Sequence, residues 1–200
     1  MTPEVDPLHE AQHERLLAGL AASIREKGLD ETQVSDIVRH ARASRRTFYK
    51  HFADKDACFE ELKQMIADAI VERVEQAVDR EAPVAVQCDQ AIDAYVDLLR
   101  GDLELTRTLN SPALANRVMF AQREGYERIA ALMVEMINGD PGRDLEIAPI
   151  SIERAYILVS GIHQGILRAV ARDEDLDLVA AEAKSVIKMA LAVGAERAAG

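Results

Sequence analysis

The sequence predicts an all-α fold: an N-terminal three-helix head containing a helix-turn-helix, then a larger helical body, about nine helices in all. Three observations carry this. Of 200 residues 48% are hydrophobic but only 4% aromatic, with no Trp, so Ala, Leu, Val and Ile supply the apolar content, a mix that favours helices over sheets. Apolar residues recur at i, i+3 and i+4 through most of the chain. Gly28, Pro83, Gly101 and the run Asn138-Gly139-Asp140-Pro141-Gly142 punctuate the stripes where helices should stop or start.

The elements follow in order. Met1 to Leu8 reads as an unstructured start. A first helix runs from about His9 to Lys27, with Leu16, Leu17, Leu20, Ala21 and Ile24 on one face and Gly28 as its stop. Two short patterns then abut. Thr32 offers an N-cap to a helix whose stripe is Val34, Ile37 and Val38, and Ala41 to Ala43 form the turn. Ser44 caps the next helix, which carries Arg45, Arg46, Thr47, Tyr49, Lys50 and His51 around only two large apolar residues, Phe48 and Phe52. Such a helix is a weak folding element, but it sets two guanidiniums in its first turn, where a helix in the major groove meets base edges.

Lys55 to Asp79 reads as one long helix with a continuous apolar stripe that includes Cys58, Phe59, Leu62, Met65, Ile66, Ala69, Ile70 and Val74. Pro83 opens a helix to about Arg100, and a short helix spans Leu103 to Leu109. Ser111-Pro112 opens another to about Ile137. The segment from Ser151 to about Ala171 is apolar nearly all round, which in a soluble protein means burial on two sides; Gly161 and Gly165 there would permit a close helix approach. Leu178 to Val193 gives the last helix.

The stretch Thr32 to Phe52, TQVSDIVRHARASRRTFYKHF, continued through Lys55, resembles the signature of the TetR family of transcriptional regulators. Thr32, Val34, Asp36, Ile37, Ser44, Thr47, Phe48, Tyr49, His51, Phe52 and Lys55 all match at fixed spacing. Two features depart from the family's pattern. Arg42 stands where Gly is usual in the turn, at a cost of about 1 kcal/mol if a left-handed geometry is kept, and the residues before the first helix are acidic. The resemblance implies a DNA-binding head over residues 1–54 with its helix-turn-helix at about 33–52, and a ligand-binding and dimerisation body over 55–200. It also implies a homodimer pairing through helices at about 151–171 and 178–193, a palindromic double-stranded DNA operator, and release by an unknown small-molecule effector.

Charge is divided along the chain in a way that fits. The total is -11, yet residues 9–55 hold nine Lys/Arg against seven Asp/Glu, while residues 56–200 hold 15 against 26. A weakly basic head on an acidic body orients the molecule on DNA, and binding should weaken steeply with salt.

Other classes find little support. There is no Ser/His/Asp set and no Gly-rich phosphate loop, so no catalytic residues are assigned and no enzyme activity is expected. His9-Glu10-Ala11-Gln12-His13 is a literal HExxH, but it opens the first helix and lacks a third ligand at metalloprotease spacing, so neither a metal site nor a cofactor is expected. Cys58 and Cys88 lack metal or disulfide spacing and read as buried thiols. The longest uncharged run, Ala155 to Leu167, is too short to span a bilayer, so a cytoplasmic protein without membrane partners is expected.

Arg45, Arg46 and Thr47 are the expected base contacts, and Thr32, Tyr49, Lys50, His51 and Lys55 the phosphate contacts. Tyr95, Met119, Phe120, Tyr126 and His163 are candidates for the effector site, because they put polar or adaptable groups on or near inward stripes. An alternative stands beside this reading: a dimeric helical ligand-binding protein whose head no longer reads DNA.

Overall fold

A computed structural model describes the backbone at residues 7–110, 115–139 and 149–198, and side chains over the same spans except 115–122 and 193–198. Among the described residues there are nine helices and no strands: α1 (Pro7–Glu31), α2 (Val34–Ala41), α3 (Arg45–His51), α4 (Lys55–Ala77), α5 (Val84–Arg100), α6 (Leu103–Leu109), α7 (Ala115–Asn138), α8 (Ile152–Arg172) and α9 (Leu176–Ala198). The chain divides into two compact units, Met1–Ile66 and Ala67–Gly200, the division falling inside α4.

In the head unit, the helical stretch α1 is interrupted at Gly28, whose φ of 81° and ψ of 166° lie outside the range open to residues with a Cβ. The stop expected there is a kink, with one short turn beyond it. Leu16, Leu20, Ile24, Ile37, Phe48, Cys58, Phe59 and Leu62 are almost wholly removed from water, so α1, α2, α3 and the first turns of α4 close one small core. Gly19 sets the approach of α1 to α2. A Cβ added there would stand 2.6 Å from the Ile37 carbonyl oxygen and 3.0 Å from the Ala41 Cβ, so only glycine lets the backbones come this close. On α4 the expected stripe is incomplete. Met65 is exposed at 41%, and Lys63 is buried in its place, its stem lying against the core, its ammonium 5.3 Å from the Phe59 ring centre and 2.6 Å from Glu60. A ten-residue apolar stripe is wider than the face one helix can bury, and a lysine stem can fill part of that face while its charge is satisfied at the edge.

The body unit packs α5 on α9, α7 on α8, α8 on α9 and α6 on α8 around one apolar cluster that includes Ile92, Val96, Ala130, Met133, Ala155, Ile166, Ala169 and Val170. Caps terminate its helices. Asp102 accepts from the Leu105 N–H at 3.1 Å, Ser151 from the Arg154 N–H at 3.3 Å, and Asp173 ends α8 in the left-handed region at φ 58°. Arg107 then ties α6 to that end, donating to the Val170 carbonyl at 3.1 Å and to Asp173 at 2.6 Å. The Asn138 side chain both accepts from and donates to the Ile150 backbone, each at 3.0 Å, holding the end of α7 to the start of α8. Cys58 and Cys88 are buried thiols as expected, each pushed up to about 12 by burial. The expected unstructured start and the loop after Asn138 fall mostly outside the described residues.

Candidate functional site

The head presents α3 to solvent. Ser44 sits in extended backbone ahead of it and its Oγ accepts from the Thr47 N–H at 2.9 Å, while the Thr47 hydroxyl is 2.8 Å from the same oxygen. Phe48 is fully buried and Phe52 nearly so, their rings 5.5 Å apart, which pins one side of this two-turn helix to the core. Arg45, Arg46, Tyr49 and Lys50 are consequently on the outer side and exposed. No ion pair joins Arg45, Arg46 or Lys50 to any described residue. By contrast, on α2 Arg39 reaches Glu26 at 2.7 Å, and His40 reaches the same carboxylate at 2.8 Å. Those two partners hold the Glu26 carboxyl below its usual range.

The turn between α2 and α3 keeps the left-handed geometry despite its arginine. Arg42 has φ 50° and ψ 44°, its N–H donates to the Arg39 carbonyl at 3.3 Å, and the Ala43 N–H donates to the Val38 carbonyl at 2.9 Å. Arg42 is also exposed, a third guanidinium beside the start of α3.

Three expected phosphate contacts are placed elsewhere. Thr32 is buried; its hydroxyl donates to the Gly28 carbonyl at 2.7 Å and accepts from Ser23 at 3.0 Å, bridging the kink in α1. Nor does it cap α2, where Gln33 is the N-cap residue and Asp36 accepts the Gln33 N–H at 2.9 Å. The Asp36 carboxyl is held low by that bond and by Lys27. The Lys55 ammonium donates to the carbonyls of Leu29 at 2.8 Å and Thr32 at 3.0 Å, satisfying acceptors that the end of α1 leaves open. His51 turns inward. Both its ring nitrogens are buried without a hydrogen-bond partner, and its ring centre lies 4.1 Å from that of His9 and 5.7 Å from that of His13. Burial first, then the proximity of His9 and His13, lowers its pKa. The HExxH histidines therefore pack the base of α3, with His13 also 4.9 Å from the Phe52 ring and its Nε2 2.7 Å from Glu61. Among the described residues no three His, Cys, Asp or Glu side chains converge as a cage for a metal ion.

In the body, Tyr95 of α5, Tyr126 of α7 and His163 of α8 meet. The Tyr95 hydroxyl lies 2.7 Å from His163 Nδ1 with the rings stacked at 5.6 Å, and the Tyr126 ring stands edge-on to the imidazole at 5.0 Å. Gln164 donates to the Tyr126 hydroxyl at 3.1 Å, and Tyr156 meets the Tyr126 ring edge-on at 6.0 Å. Burial alone lowers His163 to about 4, and burial first, with a neighbouring phenol second for Tyr95 and a Gln164 hydrogen bond opposing it for Tyr126, raises both phenols above their ordinary value. The side chains of the other two candidates, Met119 and Phe120, lie outside the described residues.

Residues 16–62 match the model of the bacterial regulatory proteins of the tetR family. The match runs from Leu16 of α1 into the first turns of α4, so over those residues the head is similar to the N-terminal part of that family. The overall fold is similar to those of several solved structures. It is similar to the fatty acid degradation regulator FadR from Bacillus halodurans, at 16% identity over 88% of this chain and 93% of that one, TM-score 0.71. A second similar structure is FadR from Bacillus subtilis in complex with stearoyl-CoA, at 19% identity over 87% and 96% with TM-score 0.67. A third is a TetR-like transcriptional regulator from Rhodococcus sp. RHA1, at 19% over 90% and 96% with TM-score 0.66. No curated protein matches the chain. No helix among the described residues is long and apolar enough to cross a membrane.

Proposed function

We propose that the protein is a cytoplasmic, non-enzymatic, ligand-released repressor that binds a palindromic operator as a homodimer. Residues 1–54 read DNA and residues 55–200 bind the effector and pair the subunits. The observation that carries this is α3, held by Phe48 and Phe52 so that Arg45, Arg46, Tyr49 and Lys50 face outward with no carboxylate among the described residues to neutralise them. Arg45, Arg46 and Thr47, at the first turn, contact base edges, and Tyr49 and Lys50 contact phosphates. Thr32 and Lys55 hold the end of α1, and His51, the last residue of the reading helix, turns inward.

The dimer reading rests on α8 and α9, which leave Ile152, Ile157, Leu178, Val186 and Met189 exposed at 41 to 69%, with open space at Gly161 and Gly165. An apolar face of this extent on two helices of one chain suits a self-complementary seam between copies. Two heads related by a twofold axis require an operator with the same symmetry. The alternative of a DNA-silent head rested on Arg42 and on the acidic residues at the start of the chain, and the left-handed turn, kept despite the arginine, removes the first of these grounds. The FadR of Bacillus subtilis, in complex with stearoyl-CoA, makes an acyl thioester the first effector to screen.

Sedimentation of the purified protein with and without duplex DNA, over a range of salt, tests the reading. A dimer of about 44 kDa, twice the 22.0 kDa chain, that retains DNA with steep salt dependence is expected. A monomer, or a dimer that never retains DNA, would refute it.

A further inference from the structure

The Tyr95, His163 and Tyr126 cluster also limits what the effector can be, on the reading above that the body binds one. Between the Tyr95 hydroxyl and His163 Nδ1, 2.7 Å apart, one group donates and the other accepts. Were Nδ1 the donor, two groups would go unmet among the described residues, the phenol proton and the bare Nε2, whereas with the phenol donating only the Nε2 proton does. The phenol therefore donates and Nδ1 accepts. A neutral imidazole carries one proton, so it resides on Nε2. That nitrogen is shielded from solvent and has no partner. A buried donor without an acceptor is a cost the fold carries unless something else meets it.

The neighbours narrow the class. Tyr126 stands edge-on to the imidazole at 5.0 Å with its hydroxyl accepting from Gln164 at 3.1 Å, and no acceptor among the described residues reaches the Nε2 proton. No charged group contributes to the lowering of the His163 pKa, which burial alone causes. An anionic oxygen brought here would lose its hydration and find no countercharge among the described residues, and a cationic group would meet a donor. An uncharged oxygen acceptor satisfies the Nε2 proton and brings no charge with it.

We propose that the effector presents an uncharged, carbonyl-type acceptor oxygen to His163 Nε2, with an apolar or aromatic body behind that oxygen.

Three probes of one shape test this on the full-length protein by titration calorimetry: 2-acetylnaphthalene, 2-isopropenylnaphthalene, which replaces the carbonyl oxygen by carbon, and 2-naphthoate, which replaces the ketone by a carboxylate. The ketone should bind about tenfold more tightly than either of the others, the effect of one buried hydrogen bond. His163→Phe, which keeps the ring and removes the donor, should erase that preference while leaving the hydrocarbon's affinity within about twofold. Tyr95→Phe, which frees the tautomer, should lower the preference severalfold. Long-range proton–nitrogen correlation spectra should show an unprotonated Nδ1 at His163 in the unliganded protein. Preference for the carboxylate, equal binding of all three, a preference unchanged in His163→Phe, or a protonated Nδ1 would each overturn the proposal while leaving the body an effector site. Binding of none of the three would overturn the proposal, while the effector reading would fall only if no ligand, acyl thioesters included, changed DNA retention.

Discussion

Head and body each bury a histidine with unpartnered ring nitrogen, and the two differ in what surrounds them. His51, the last residue of the reading helix, faces His9, His13, Lys50 and Glu61, all titratable. His163 lies among Tyr95, Tyr126 and Gln164, none of which ionises near neutrality. The same imbalance therefore answers to different signals. Protonating the head cluster sets positive charges beside one another at the base of α3, whereas the body cluster answers to whatever supplies an oxygen. The small head core gives α3 little else to stand on, and the body distributes its packing over several long helices.

Substitutions that strike the head core should sharpen this contrast most. Phe48→Ala removes a wholly buried ring from a two-turn helix and should cost about 3 to 5 kcal/mol; thermal unfolding followed by hydrogen exchange should show the head opening while the α5 and α9 amides stay protected. Gly19→Ala forces a Cβ against the Ile37 carbonyl oxygen and should cost about 1 to 3 kcal/mol by separating α1 from α2, with the same head-selective exchange. Equal loss of protection in the body after either change would break the comparison.

Acid should affect both regions through their histidines. The folded-state pKa of His51 and of His163 is lowered, so the unfolded chain, whose histidines titrate near about 6.5, takes up protons that the folded chain refuses. Stability from both sites is intact above about pH 6.5 and declines as pH falls below it, towards about 4 for His163. Glu26 and Asp36, held low by their partners, add losses only further down, below the ordinary carboxylate range. Melting curves between pH 7 and 5 should flatten in the head for His51→Gln and in the body for His163→Phe. A pH slope unchanged in both variants would contradict the assignment.

The smallest expected effect is a gain. Arg42 holds a left-handed conformation that Gly adopts without steric cost, so Arg42→Gly should raise head stability by about 0.5 to 1 kcal/mol, the relief of strain less the entropy Gly adds to the unfolded chain.

Much of the head was legible because its signals are local. Ser44 ahead of an Arg-rich helix, Phe48 and Phe52 four apart, and Gly28 as a break all act within a turn or two of themselves, and each is found in that role. What remained hidden depends on partners distant in the chain. Thr32 and Lys55 are polar residues at helix ends, where a hydroxyl or ammonium serves a carbonyl as readily as a phosphate, and only the fold shows that Leu29 and Gly28 claim them. The HExxH pair needed His51, some forty residues on, to find its packing role. Gly19 carried no signal in a helix with an ordinary stripe. In the body, stripes gave the helices, with α8 opening at its Ser151 cap as expected, but α9 begins at Leu176 rather than Leu178 because the left-handed Asp173 allows a tighter turn. Tyr95, Tyr126 and His163 were chosen for lying near inward faces; their meeting on three different helices was not written in any one of them.

Selection of bound sequences from a random double-stranded DNA pool, with the full-length protein at moderate salt, tests the central claim most directly. One palindromic sequence should emerge, and Arg45→Ala and Arg46→Ala should each relax it at a defined position while Lys50→Ala weakens binding to all sequences alike. Recovery of no common sequence by a folded dimer, or a preference unmoved by both arginine changes, would contradict the assignment of α3 as the reading helix.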